Sequence, residues 1–139
     1  MLKKDVMITV DSKQEHPDQD AEVMNFITEG SYYKKGGNYY ITYAESPVTG
    51  LDGTTTTLKI EPESITLIRH GNVSSLMVFK KGRKHTSGYE TEYGTIEVGV
   101  TARKLSVDMN DFGGHFNVEY ILEVNNQITS FTTLDVKVH

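Results

Sequence analysis

The sequence predicts an all-β chain: one antiparallel up-and-down β-barrel of about eight to ten strands, closed or nearly closed, with little or no helix. Three observations carry that prediction. Val118-Glu119-Tyr120-Ile121-Leu122-Glu123-Val124 alternates, and over residues 128–138 every second position is apolar or a small hydroxyl. The same period of two recurs almost from end to end, and no helix period interrupts it. Short turn signals separate the runs. A strand sends successive side chains to opposite faces, so this pattern makes one dry face and one wet face. A series of such strands buries its dry face most simply by closing on itself. An open two-sheet sandwich is the rival arrangement.

Residues 6–11 set Val6, Ile8 and Val10 against Met7, Thr9 and Asp11, which reads as a strand. Residues 14–20, with Glu15, His16, Pro17 and two aspartates, read as a solvated turn or loop. Residues 23–33 form a long strand whose Gly30 suggests a bend or bulge. Lys35-Gly36-Gly37-Asn38 signals a hairpin into Tyr39-Tyr40-Ile41-Thr42-Tyr43. Residues 46–53 form the longest turn-rich stretch and a candidate mouth loop. A β-branched strand follows over 54–60, and Glu61-Pro62-Glu63-Ser64 turns it into 65–70.

Gly71-Asn72 leads to Leu76-Met77-Val78-Phe79, and Lys81-Gly82 leads to a strand over 83–91. The strand from Gly94 keeps Ile96, Val98, Val100 and Ala102 in one phase, but Leu105, Val107 and Met109 fall in the other. One extra residue near Arg103-Lys104 accounts for the flip, so a bulge is expected there. Asp111-Phe112-Gly113-Gly114 then separates this strand from residues 116–124. Asn125-Asn126 makes a tight hairpin into the last strand.

A chain of 139 residues fits a single domain spanning 1–139, and 37% hydrophobic with 24% charged residues describes an ordinary globule. The net charge of −5 argues against general affinity for nucleic acid or anionic membrane. Without cysteine, neither a disulfide framework nor a thiolate metal site can form. Asp5, Thr9, Asp11 and Lys13 interrupt the opening apolar positions, so neither a signal peptide nor a membrane span is expected and a cytoplasmic location is.

Several blocks together carry a family resemblance: Tyr32-Tyr33-Lys34-Lys35-Gly36, Tyr39-Tyr40-Ile41-Thr42-Tyr43, Thr49-Gly50-Leu51-Asp52-Gly53-Thr54-Thr55-Thr56 and Leu58-Lys59-Ile60. Ile65-Thr66-Leu67-Ile68-Arg69, Met77-Val78-Phe79, Gly88-Tyr89-Glu90-Thr91-Glu92-Tyr93-Gly94 and Tyr120-Ile121-Leu122 continue it. In this order the chain resembles the YwiB-like family of small bacterial proteins across nearly its whole length. The resemblance implies a calycin-like barrel, akin in shape to lipocalins and fatty-acid-binding proteins, and implies no activity. The chain departs from those cousins in having no tryptophan for a Gly-x-Trp start and no helical segment for a lid. Ligand binding by that analogy rests on fold alone.

The candidate binding residues are polar side chains in phase with apolar ones. Arg69 follows Ile65 and Leu67, and Glu45 follows Tyr39, Ile41 and Tyr43, so both are expected to point inward. His85, Tyr89, Thr91 and Tyr93 share a face of another strand. An interior arginine must be paired or hydrated, and Arg69 with Glu45 or tyrosine hydroxyls would line a polar pocket for an anionic head group. The competing reading leaves Arg69 solvated at a strand end. No enzyme is expected, because no nucleophile elbow, phosphate loop or catalytic triad is recognisable. His16, His70, His85, His115 and His139 show no ligand spacing, so no metal is expected. His115 is the best placed ring for haem, but a surface turn explains it as well, and no cofactor is expected.

The basic stretch Lys80-Lys81-Gly82-Arg83-Lys84-His85 reads as a solvated hairpin tip guarding a strand edge rather than a nucleic-acid groove. Thr54-Thr55-Thr56-Thr57 reads as a strand former. Ile68, Ile121 and Phe131 fall in wet phases and are either a candidate homodimer surface or isolated exposed side chains. Two function classes follow. The first is a small-ligand-binding barrel with a pocket at one end. The second is an interaction module that binds protein, or less readily RNA, with its outer surface. Filling of the lumen by Phe26, Tyr43, Phe79, Tyr89, Phe116 and Tyr120 would favour the second, and an open lumen the first.

Overall fold

The computed structural model describes residues 3–91 and 93–139. Ten strands follow one another along the chain: β1 Lys4–His16, β2 Gln19–Lys35, β3 Asn38–Ala44, β4 Thr54–Glu61, β5 Ser64–Gly71, β6 Ser75–Lys80, β7 Lys84–Thr91, β8 Gly94–Asn110, β9 Gly113–Val124 and β10 Gln127–Val138. Among the described residues the helical content is one 3₁₀ turn, Pro47–Thr49, capped by the Ser46 hydroxyl. No helix among them is long and apolar enough to cross a membrane.

All ladders are antiparallel, and the order across the sheet is β6-β5-β4-β3-β2-β1-β10-β9-β8-β7. The first and last strands are therefore neighbours in mid-sheet, sealed by Met7 N–H to His139 O at 2.7 Å and its reciprocal at 2.9 Å. The two edges of the sheet are β6 and β7, which meet at a seam. Gly82 N–H donates to Ala102 O at 3.0 Å there, and Ser87 Oγ donates to Leu76 O at 3.1 Å. The result is a nearly closed up-and-down barrel, as expected from the alternation.

Interior positions follow the period of two. Ile8, Ile41, Ile60, Ile65, Phe79, Phe116, Val118 and Val136 are all buried in one cluster. The expected bulge is present: register with β9 slips between Ala102 and Lys104, and both halves of β8 thereby turn their apolar residues inward. A second slip, between Ile128 and Ser130 on β10, leaves Ile128 exposed and Ser130 buried. Gly36-Gly37 and Asn125-Asn126 all carry positive φ, the backbone that two-residue hairpins demand.

Four expectations are corrected. The solvated segment at 14–20 shrinks to Pro17-Asp18, because both flanking strands continue into a long hairpin that pairs His16 with Gln19. The Asp111–Gly114 break shrinks to Asp111-Phe112, with β9 starting at Gly113. Gly30 lies on an unshifted stretch of the β1–β2 ladder rather than in a bulge. Its role is close approach: a Cβ there would stand 2.5 Å from Ile8 Cδ1 and 2.6 Å from Thr42 O. Ile68, Ile121 and Phe131 do not form one surface. Phe131 is cross-strand from Ile121, whereas Ile68 is cross-strand from Leu76 on the other arm of the sheet.

Candidate functional site

One end of the barrel holds a row of polar side chains. Register places Tyr43, Thr56, Arg69 and Ser75 opposite one another on β3, β4, β5 and β6. Because cross-strand partners share a face, the inward phase of Tyr43 carries the whole row into the lumen. Glu45 continues the same phase just beyond β3, and its N–H donates to Thr54 O at 2.8 Å.

The Glu45 side chain is only 1% exposed. Its Oε1 accepts from Thr49 Oγ1 at 3.0 Å, and its Oε2 accepts a short hydrogen bond from Thr56 Oγ1. Arg69 Nε lies 3.7 Å from Glu45 Oε2 and donates to Thr56 Oγ1 at 3.3 Å. A buried carboxylate thus has its partners, as burial requires. The mouth loop supplies Thr49 from its 3₁₀ turn and so covers Glu45, while Arg69 stays 25% exposed. The Nη groups of Arg69 make no hydrogen bond with the described residues. A guanidinium carries five N–H donors, so most of this one remains available.

A second row faces the first: Ala102, Tyr120, Thr132 and Gln14 on β8, β9, β10 and β1. Burial pushes the Tyr120 phenol up, while its hydrogen bond with Thr132 and then the Arg69 charge pull it back. Burial likewise raises Tyr43, the Glu45 charge adding to it and Arg69 opposing. Phe79 packs on Tyr120 with ring centroids 4.6 Å apart, and Phe26 meets Tyr43 at 6.3 Å. Phe79 and Phe116 are fully buried, so aromatic rings fill the middle of the lumen. What stays polar is the row that holds Thr56, Arg69 and Glu45.

Ser75 Oγ and His85 Nδ1 are buried without a hydrogen-bond partner, whereas the Thr132 hydroxyl has the Tyr120 phenol as its partner. Each such atom costs about 1–3 kcal/mol when left unmet, and native structures meet nearly all of them. Ser75 stands opposite Arg69 in the first row. An unmet hydroxyl thus lies beside the guanidinium.

The sequence-predicted residues separate accordingly. Arg69, Glu45 and Tyr43 come together inside the barrel, and Tyr89 stands near enough to Tyr120 to bear on its titration. His85 lies opposite Val100 on the inward face, with no hydrogen bond or ion pair to Arg69 or Glu45 among the described residues. Tyr93 is corrected: it sits in the turn between β7 and β8 and is 96% exposed, because the turn ends the alternation that aligned it with Tyr89. The side chain of Thr91 lies outside the described residues. Sequence reasoning missed Thr49, Thr56, Ser75 and Thr132, small hydroxyls that mark any good strand or turn as readily as a site.

The histidines remain dispersed. His115 lies on β9 with Nε2 3.4 Å from Asp135 Oδ1. Among the described residues no three or more His, Asp or Glu side chains gather closely enough to hold a metal ion. A concavity of about 880 Å³ lies at the opposite end between the β4–β5 and β6–β7 turns. Glu61, Glu63, Lys80, Lys81 and Arg83 line it. These are mostly exposed turn residues, and none carries a buried polar atom without a partner. The concavity is a depression among solvated turns.

Residues 8–136 match a family described as a Domain of unknown function (DUF1934). Over 127 residues the chain is 24% identical to the Uncharacterized beta-barrel protein YwiB of Bacillus subtilis (strain 168), covering 91% of this chain and 88% of that protein. The crystal structure of the ywiB protein from Bacillus subtilis matches with a TM-score of 0.80 at 22% identity, covering 97% of this chain and 92% of that one. The resemblance carried by the tyrosine and threonine blocks is thereby borne out, and the structural likeness extends to the fold.

Proposed function

The chain belongs to the DUF1934 family, and from that premise we propose that it is a non-catalytic, calycin-like binding barrel that holds a small polar ligand at Arg69. One observation carries the reading: an arginine inside the barrel whose Nη groups make no hydrogen bond with the described residues, beside an unpartnered buried hydroxyl at Ser75. Glu45 acts as a counter-ion that positions the guanidinium rather than as a ligand group, since Thr49, Thr56 and Arg69 already occupy its oxygens. The Nη edge suits two acceptor atoms side by side, as in a carboxylate or a carboxamide. Phe79 and Tyr120 form an apolar floor beneath it. The filled middle of the lumen limits the ligand to a head group and a short body, not a fatty chain.

The test is a titration of isotopically labelled protein with short-chain carboxylates and their primary amides, followed by NMR. The expected result is saturable shifts at Arg69 Nε–H, Ser75, Tyr89, Tyr120 and Thr132. Replacement of Arg69 by lysine keeps the charge but loses the planar fork, and is expected to weaken binding about tenfold. Shifts confined to other surfaces, or none with either probe class, would count against the reading.

A second reading, that the outer surface engages protein, is supported by the packing of Phe79, Phe116 and Tyr120 across the lumen. It has its own structural basis on β2.

A further inference from the structure

Strand β2 is paired on one side only over most of its length. Its ladder with β1 runs from Tyr32 back to Gln19, whereas β3 joins it only from Ser31 to Lys35. Among the described residues, no other strand pairs with residues 19–30. The edge is apolar as well as open: Val23 is 64% exposed, Ile27 63% and Met24 37%.

Natural edges are guarded by lysines, prolines, bulges or shortness. The β6–β7 seam of this barrel follows that rule with Lys80, Lys81, Arg83 and Lys84. Residues 19–30 contain no lysine, arginine or proline, and the ladder is unshifted from Gln14↔Glu22 to Lys4↔Tyr32. This edge is long and regular, and its central residues 23–28 carry no charge.

We propose that a second copy of this chain pairs here, β2 against β2, antiparallel about a two-fold axis at Asn25. Identical strands related by such an axis place residues on a common face opposite one another, so only registers centred on a residue are allowed. Centring on Asn25 sets Val23 against Ile27 and Met24 against Phe26, each twice. Every exposed apolar side chain of the edge then gains an apolar partner. The same register sets Asp20 against Gly30, Glu22 against Thr28 and Glu29 against Ala21. No carboxylate faces another, even though the edge carries three. Centring on Glu22 would instead oppose a carboxylate with its own copy. The edge is self-complementary, and the partner it fits is itself. This pairing is independent of any ligand at Arg69.

Sedimentation velocity of the full chain over a concentration series tests it with two charge variants at exposed sites. The wild type is expected to dimerise reversibly. V23K/I27K sets lysine against lysine twice, and is expected to weaken association by at least about tenfold. V23K/I27E sets lysine against glutamate twice and is expected to restore the dimer. Circular dichroism melts establish that both variants are folded. Hydrogen exchange of the wild type adds a readout without substitution: amides of residues 21–29 should slow as concentration rises. A wild type that stays monomeric throughout overturns the proposal. A dimer that survives V23K/I27K also overturns it, since another face would then be in use. Failure of V23K/I27E to associate overturns the register and the proposal with it.

Discussion

Arg69 on β5 and Glu45 just beyond the end of β3 are separated by β4, yet Arg69 Nε reaches to 3.7 Å from Glu45 Oε2, with the Thr56 hydroxyl bonded to both. The bridge exists because Thr56 is the cross-strand partner of Arg69 and of Tyr43, the residue two before Glu45. An ion pair is thus threaded through one hydroxyl, with the carboxylate sealed and the guanidinium open to the mouth. The consequences for stability and for binding are separable.

Removing the cation alone strands a buried carboxylate. Arg69→Met is expected to lower unfolding stability by about 3 kcal/mol, the low end for a broken buried pair because the arginine is partly solvated. Glu45→Gln keeps oxygen and nitrogen within reach of Thr49 and Thr56 and should cost less. The double variant E45Q/R69M should be more stable than R69M alone, since no unpaired charge remains. Urea denaturation of the four proteins decides this, and simple additivity would refute the coupling.

Alkaline pH should unfold the barrel through its buried phenols. Burial holds Tyr43 and Tyr32 well above the ordinary value of 10.0, and Tyr120 is raised as well. Below that value both folded and unfolded chains keep these protons, and the contribution to stability is complete. Above it the unfolded chain releases protons that the folded chain retains. Stability therefore falls with rising pH, by about 1.4 kcal/mol per unit for each such tyrosine. Urea midpoints on either side of about pH 10 measure the slope, and Tyr43→Phe should make it shallower.

Gly30→Ala should destabilise by about 1–3 kcal/mol through overpacking. The new methyl would meet Ile8 Cδ1 and the Thr42 carbonyl. Ile8→Val removes the first clash but not the second, so G30A/I8V should recover part of the loss relative to I8V. Full tolerance of G30A in a thermal melt would show that β2 and β3 approach less closely than described.

How much of this was legible in the sequence follows from what a period of two can report. It gives the face of each residue within one strand, so the inward phase of Arg69 and Glu45 was readable, as was the bulge betrayed by the phase flip at Arg103. It says nothing about which strands are neighbours. The seam at β6–β7, the pairing of β1 with β10 and the unpaired half of β2 are matters of register, invisible in a single strand. Tyr93 was misplaced because phase was carried through a turn. Thr49, Thr56, Ser75 and Thr132 were missed because a hydroxyl that completes a polar network has the same letter as one that merely favours a strand.

Native mass spectrometry of the protein, purified gently from the cells that make it, tests the central claim most directly when wild type and Arg69→Lys are compared. The account predicts a reproducible small added mass on the wild type, lost on denaturation and depleted in the variant. A wild-type spectrum at the bare chain mass, or the same added mass in both proteins, would contradict a ligand held at Arg69.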